Sequence, residues 1–596
     1  MIMIMPPLVV LVRRARPVLT VLGLAFWFVY RLSPIQTDQS LLRLLVQALT
    51  VARDELLSKL AAMTNTYAST IGNPLLQLVV EWLWRVSEDI MAFLLVMGTS
   101  RVVYCLCHFS LEEWKDLIVD GLFEWANRHV GLVNKEMNKQ TAAFNTDAEQ
   151  MLHKDPHRVK TLTLPKKGRP RQEVLQELQT ASIKENAKWQ QGKVSGTVYS
   201  KDSDHSDFLN QVYAAYSWSN PLHPGYWPKL NQCEAEVIAM TADMLHGPAV
   251  GCMSSGGTES ILLAIRAHLC FHGKHRGIAH PELICGTTAH AAVNKACEIF
   301  GIRMVTVDCS SDGTFQLDPA IVKSHVTANT IMLYASAPCY PQGVIDPIEA
   351  LGEIAQEYGI GLHVDACLGG FVLPFCDDAP VFDFRCKGVT SMSADTHKYG
   401  FSTKGTSVVM YNSEELRSGQ YFAFAKWTGG MYATPSFAGS RPGALSACAW
   451  AAMVSLGREG YRSRVALIVK AARTLATGVK NIDGLKLLTP KPYMVVCLGG
   501  SEEVDIYRIQ DFLTTAGWSF SSLQSPASIH ICVTLNVVPN MEILLQDLRA
   551  AVEKVRSEGT KGSKKGTAGV YGTVGAVPPG PVNNILRAFT DATLSP

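Results

Sequence analysis

"SADTHKYGFSTKG", residues 393–405, sets Lys398 directly behind His397 inside a loop of small residues, with Lys404 six positions on. A surface loop carries such residues for solubility alone. A lysine meant as a nucleophile needs burial and cationic neighbours, here His397 and Lys404, which together lower a lysine's pKa. The stretch is flanked by "GVTSMSA" (388–394) and "TSVVMY" (406–411), and both read as buried strands. Upstream, "ELICG", "TIMLYAS" and "GLHVDA" read the same way, with helices at 258–271, 291–301 and 346–358. This alternation from about 234 to 411 predicts an α/β fold with a parallel sheet covered by helices. Past residue 455 the pattern changes to a long helix near 460–480 and strands in "YMVVCLGG" and "SIHICVTLN", which predicts a smaller α+β domain.

Chemistry-bearing residues fall at strand ends, where open α/β sheets hold their ligands. In "SSGGTESILLA" (254–264), Gly256 and Gly257 free the backbone, while Thr258 and Ser260 sit where a helix begins. Backbone donors and the helix dipole there suit a phosphate, although such turns usually only cap a helix. His290 follows the strand "ELICG"; a lone histidine in that place is more often a satisfied core residue. Asp365, in "HVDACLGG" (363–370), ends an apolar strand and requires a partner, either a backbone amide or a protonated ring nitrogen. Lys398 lies 33 residues further on, close enough for one connection to bring both to the same sheet edge. Together these four stretches supply what pyridoxal 5'-phosphate requires: a phosphate cradle, a ring cover, a carboxylate for the pyridine nitrogen, and a lysine for covalent attachment.

The rest of the chain bounds the reading. A length of 596 residues implies roughly four domains. The segments are 1–110 as membrane anchor and amphipathic helical region, 111–230 as connector contributing to the site, 231–455 as the large cofactor-binding domain, and 456–596 as the small domain with a flexible tail. A net charge of +2 argues against a general nucleic-acid surface. Fifteen cysteines with no C-x-x-C pair fit reduced thiols facing the cytosol, and the cluster His268, Cys270, His272, His275 reads as a polar helix end rather than a metal site. Two apolar runs stand near the amino terminus, Val18–Tyr30 and Ile90–Phe109. The first is shorter than the roughly 20 residues of a typical span, yet Arg13, Arg14, Arg16 and Arg31 at its edges favour a membrane anchor over a buried helix. Between the runs, residues 37–62 read as an amphipathic helix. Residues 154–171 form a basic, proline-containing linker, and 557–569 a Gly/Lys/Ser-rich flexible segment.

The motifs "SGTVYS", "WSNPLHP", "SGGTES", "HVDACLGGF", "GVTSMSADTHKYG" and "AGSRPG" resemble those of the sphingosine-1-phosphate lyase family, over about Gly192 to Tyr571. The resemblance implies the pyridoxal-phosphate fold type I, aspartate-aminotransferase-like, and a homodimer with shared active sites. It further implies an anchor in the endoplasmic reticulum membrane, with the catalytic part facing the cytosol. The implied reaction cleaves a phosphorylated long-chain base to a fatty aldehyde and phosphoethanolamine. Carried over motif by motif, Lys398 resembles the attachment lysine, Asp365 the pyridine-nitrogen partner and His290 the ring-stacking residue. Gly257 and Thr258 resemble the phosphate cradle, with Ser440 reaching over from the neighbouring subunit. Tyr199, Asn220, His223 and Lys404 lie in motifs of the substrate-phosphate and catalytic pocket, and Tyr432 joins them as a further substrate contact. The chain departs from the family in its two competing apolar runs and at Cys339 and Tyr340 of "APCYPQGVIDP".

A pyridoxal-phosphate amino-acid decarboxylase is the competing enzyme, since it shares the fold and similar "HVDAA" and "HKYG" motifs. The pair "SGTVYS" and "NPLHP", together with Lys404, separates the two, because a cation there has a use if the substrate ends in phosphate. A catalytically inert scaffold would have lost Lys398 or Asp365, and both are present. The arginines before the first run pull the amino terminus to the cytosol, so one span would leave the enzyme in the lumen and two would return it.

Overall fold

The computed structural model describes residues 161–310, 313–559 and 579–595, with Gly131 and Lys135 as isolated helical positions. Both apolar runs, the stretch 37–62 and most of 557–569 lie outside these residues. Among the described residues no helix is long and apolar enough to cross a membrane. Residues Lys167–Gly575 make one compact unit; Met1–Lys166 and Ala576–Pro596 make the other, which holds the helix Pro579–Leu594.

Seven strands form the main sheet: β1 (Gly251–Ser254), β2 (Glu282–Gly286), β3 (Arg303–Val307), β4 (Thr330–Ser336), β5 (Gly361–Asp365), β6 (Ser391–Ala394) and β7 (Ser407–Tyr411). Their order is β1-β7-β6-β5-β4-β2-β3. From β3 to β6 all neighbours are parallel, as the alternation predicts. β7 runs antiparallel to both β6 and β1, so the sheet is mixed rather than parallel. The reason is local. A parallel step needs a crossover, usually a helix, and the loop 395–406 between β6 and β7 contains none, so the chain turns back on itself. β1, β2, β5 and β6 therefore all end at one edge of the sheet, and the stretches singled out by sequence follow those four ends.

Helices cover both faces, which suits the near-continuous burial of the strands. These are α1 (Pro228–Met244), α2 (Gly257–His268), α3 (Ala292–Phe300), α4 (Ile348–Tyr358) and α5 (Gly443–Lys480). On one face Leu283, Cys285, Ile331 and Tyr334 pack with Ile261 and Ile265 of α2 and Val293 of α3. On the other, Ile284, Leu333, Val364 and Met392 join Leu351 of α4 and Tyr461 of α5. α2 passes into a π-turn over Leu269–Lys274, and His268 at the junction is buried, bonded to Ala264 O (2.7 Å) and Thr390 Oγ1 (2.8 Å). α5 begins earlier than its sequence pattern implies and is broken at Gly457, whose φ of 58° belongs to the left-handed region.

A hairpin of β8 (Phe422–Phe424) and β9 (Tyr432–Thr434) follows β7. The second sheet is antiparallel, with β10 (Leu485–Leu487), β11 (Val495–Gly500), β12 (Ser521–Leu523) and β13 (Ser528–Cys532) in the order β10-β11-β13-β12. Its Val495, Val496, Leu498, Ile529 and Ile531 belong to the same core cluster as Val364 and Met392. The two sheets thus share one hydrophobic interior, and the end of β13 is brought to the edge where β5 and β6 stop.

Candidate active site

Lys398 sits in the β6–β7 reversal, in a turn closed by Lys398 N–H donating to Asp395 O and Phe401 N–H donating to Lys398 O. Its Nζ lies 2.8 Å from Asp395 Oδ2, and the Asp395 side chain is only 1% exposed. Burial pulls the Lys398 ammonium down, but Asp395, with Cys367 and Tyr199, outweighs it and holds the pKa well above the usual lysine range. This corrects the expectation that cationic neighbours dominate. The nearest charge to Lys398 is the carboxylate three residues before it, which the sequence reading passed over.

His397 does stand beside the pair, its Nε2 3.7 Å from Asp395 Oδ2 and its Nδ1 accepting from Thr406 N–H at 3.1 Å. Burial pushes His397 down against the pull of Asp395, and Lys404 and Lys398 add to the push. Lys404 places Nζ 4.5 Å from the centre of the Tyr199 ring. Partial removal from water, then the charge of Lys398, brings Lys404 down to about 8. Tyr199 is buried, meets Tyr399 edge-on at 4.8 Å, and is raised by burial first. Tyr399 Oη donates to Val533 O, fastening the lysine loop to the end of β13.

Asp365 and Ser393 are partners across the β5–β6 pairing, so Asp365 ends its strand beside a residue that precedes Lys398 by five positions. Its carboxylate accepts from Tyr334 Oη (2.6 Å), Cys367 N–H (2.9 Å) and Ser393 Oγ (3.2 Å). Burial alone would raise Asp365; His290 and these donors more than compensate and keep it below the usual carboxylate value. Asp365 is therefore ionised in a dry place, which is the state needed to hold a proton on a pyridine nitrogen. His290 is half-buried after β2, its Nδ1 accepting from Ala292 N–H (3.1 Å) and its ring edge-on to Tyr340 at 6.3 Å.

Gly257 opens α2, and Gly256 before it has φ 155° and provides no side-chain cap. The first amides of α2 thus keep their donors for an anion. A Cβ on Gly257 would come within 2.8 Å of Cys367 Sγ and 2.9 Å of Asp395 Oδ2, so only glycine fits there. Thr258 is exposed in this first turn. Ser260 faces inward instead, bonded to Ser254 Oγ (2.7 Å) and Ser407 Oγ (2.9 Å), and belongs to the core. An uncapped helix start, an ionised Asp365 and a half-buried lysine at one sheet edge fit pyridoxal phosphate.

Four further residues gather in a second group. Asn220 Nδ2 donates to Ser440 Oγ (3.0 Å), and Asn220 Oδ1 accepts from Leu222 and Arg441 N–H. Arg441 is gripped by both oxygens of Glu234 on α1, at 2.8 and 2.9 Å. Tyr432 Oη lies against Gly439, and the exposed His223 meets Tyr226 edge-on at 6.3 Å. Among the described residues no hydrogen bond, ion pair or ring contact joins this group to Lys398. Sequence reasoning also missed a third wall. Cys532 accepts at its backbone O from Gly196 N–H, Asn536 Nδ2 donates to Val198 O, and buried Thr534 Oγ1 and Asn536 Oδ1 have no hydrogen-bond partner among the described residues. Thr534 and Asn536 are polar residues just beyond an apolar strand, a signal too common to single them out.

Comparison with known proteins identifies the family and the fold. The model of the pyridoxal-dependent decarboxylase conserved domain matches residues 156–498. A sphingosine-1-phosphate lyase of Dictyostelium discoideum is 37% identical over 81% of this chain and 92% of its own. A solved sphingosine-1-phosphate lyase from Burkholderia pseudomallei superposes with a TM-score of 0.65 at 41% identity, over 67% of this chain and 94% of that one. A glutamate decarboxylase from Lactobacillus brevis shares the fold, with a TM-score of 0.59 at 20% identity, over 67% of this chain and 96% of its own. The chain belongs to the sphingosine-1-phosphate lyase family, within the wider group of pyridoxal-dependent decarboxylases.

Proposed function

We propose that this protein is a pyridoxal-phosphate-dependent aldehyde-lyase that splits phosphorylated long-chain bases into a fatty aldehyde and phosphoethanolamine. The observation that carries the reading is the placement of Lys404 and Tyr199 beside Lys398: a cation and a hydroxyl stand where a substrate phosphate or hydroxyl must be handled. A decarboxylase of small amino acids needs neither. When bound, pyridoxal phosphate supplies an electron sink for the breaking carbon–carbon bond. Lys398 holds it covalently, the start of α2 binds its phosphate, and Asp365 keeps a proton on its ring nitrogen. His290 covers the ring. Lys404 binds and orients the phosphorylated half of the substrate, which aligns the bond to be cleaved. The purified protein, given a phosphorylated long-chain base, is expected to release aldehyde and phosphoethanolamine in equal amounts without carbon dioxide. Carbon dioxide from an amino acid, with the base uncleaved, would instead establish the decarboxylase.

The active unit is a homodimer in which Ser440, with its companions Asn220, His223 and Tyr432, completes the neighbour's site. Support comes from the separation of this group from Lys398 within one chain. Large apolar residues exposed near it, Trp218 (92%), Tyr226 (81%) and Met431 (90%), point the same way. Anchoring at the endoplasmic reticulum is supported by the arginine-flanked run 18–30 and the substrate's lipid chain, and a cytosolic catalytic part requires the second run, 90–109, to span as well. In sealed microsomes, external protease is expected to digest the catalytic unit; protection would place it in the lumen.

A further inference from the structure

Among the described residues, Asp395 is the one carboxylate in contact with Lys398, and the reaction described above does not explain its presence. Oδ2 lies 2.8 Å from Lys398 Nζ and 3.7 Å from His397 Nε2 as ion-pair contacts, and neither buried oxygen has a well-aligned hydrogen-bond donor among the described residues. Both oxygens lie against Gly257, within about 3.0 Å of where its Cβ would stand. A negative charge thus sits beside the helix start proposed to receive a phosphate, and beside the nitrogen proposed to attack an aldehyde.

We propose that Asp395 is a positioning residue that holds Lys398 as an ammonium ion in the cofactor-free protein, so that covalent capture of the cofactor is paced by loss of that proton. The inference rests on the assignment of Lys398 as the attachment lysine. Capture joins Nζ to the aldehyde carbon as a C=N bond and releases the aldehyde oxygen as water, carrying two of the nitrogen's protons. The third proton of the ammonium must first pass to solvent, because the nitrogen attacks with that electron pair. The groups facing the pair are His397 and Lys404 on the same loop, Cys367 after β5, Tyr199, and Cys532 on β13. Lys404 and His397 when charged oppose the ammonium; Asp395 alone supplies a full negative charge at contact distance. The direction of the Lys398 shift agrees with that geometry.

Cofactor-free wild type and Asp395→Asn are mixed with saturating pyridoxal phosphate, and covalent capture is followed by absorbance. Borohydride reduction and peptide mapping then identify the lysine. The variant is expected to capture at least about tenfold faster at pH 7, since each unit taken off a lysine's pKa raises the neutral fraction about tenfold. Its rate is expected to level off at lower pH than that of wild type. Pyridoxal, which lacks the phosphate, is run in parallel and should show the same acceleration, separating the lysine effect from phosphate repulsion. Equal or slower capture by the variant overturns the proposal, as does acceleration confined to pyridoxal phosphate. A wild-type adduct mapped to another lysine overturns the assignment of Lys398 itself. If Asp395→Asn does not fold, competitive acylation of cofactor-free wild type across pH decides: Lys398 should titrate above the exposed lysines, and titration at or below them overturns the proposal.

Discussion

Lys398→Ala is expected to reduce turnover to the uncatalysed background, and borohydride should no longer fix cofactor to the protein. No neighbour can substitute. Lys404, the other lysine of the loop, is held over Tyr199 with its Nζ 3.4 Å from the His397 carbonyl oxygen. Circular dichroism should show the fold retained. The melting temperature should nevertheless fall, because Asp395 loses its ion pair, and breaking one side of a buried pair costs about 3–5 kcal/mol. The double variant Lys398→Ala/Asp395→Asn should regain part of that loss. Retained borohydride labelling at wild-type stoichiometry in the single variant would show that Lys398 is misassigned.

Asp365→Asn should lower kcat by on the order of 10²–10³, the scale of losing a preorganised electrostatic partner at the reacting group. Covalent attachment through Lys398 should survive. Asparagine keeps the size and can still accept from Cys367 N–H, so packing between β5 and β6 changes little. What it loses is the charge. Burial opposes that charge, while His290 and the donors from Tyr334 and Cys367 hold the carboxyl ionised below its usual range, so its contribution is present throughout the neutral range and lost only in acid. A variant with full turnover and a normal pH profile would remove Asp365 from the cofactor site.

The sequence was most legible where chemistry and periodicity coincide. "GLHVDA" and "TIMLYAS" are apolar runs bounded by turn residues, and both are buried strands ending at the site. β1 and β3 were not read; β1 is four residues long, and β3 carries Arg303 and an exposed Thr306 that blur its pattern. Strand direction was not legible either, because side-chain alternation is the same whichever way a strand runs. β7 therefore passed as parallel. Asp395 was visible as a residue but not as a partner, since three positions within a loop fix no distance. The wall from Cys532 to Asn536 lies more than 130 residues from Lys398 and is joined to it through Tyr399 and Val533, a contact that no local pattern reports. The resemblance named Asn220, His223 and Ser440, but only the structure shows that Asn220 and Ser440 form a unit within one chain.

The strand that ends at Asp365 and the loop that holds Lys398 are complete by residue 411, yet the groove around them is not. Tyr199 and its neighbours are kept in place by residues synthesised far later: Ser195 N–H bonds to Ser519 O, Gly196 N–H to Cys532 O, and Leu535 N–H to Tyr199 O. During translation, a chain that has just passed β7 already carries its reactive lysine, but the opposite side of the pocket has yet to leave the ribosome. Such long sequence separations form slowly. The wall that carries Tyr199 is thereby completed only when nearly the whole polypeptide exists, and a truncated product that ends before β13 carries an attachment lysine without that wall.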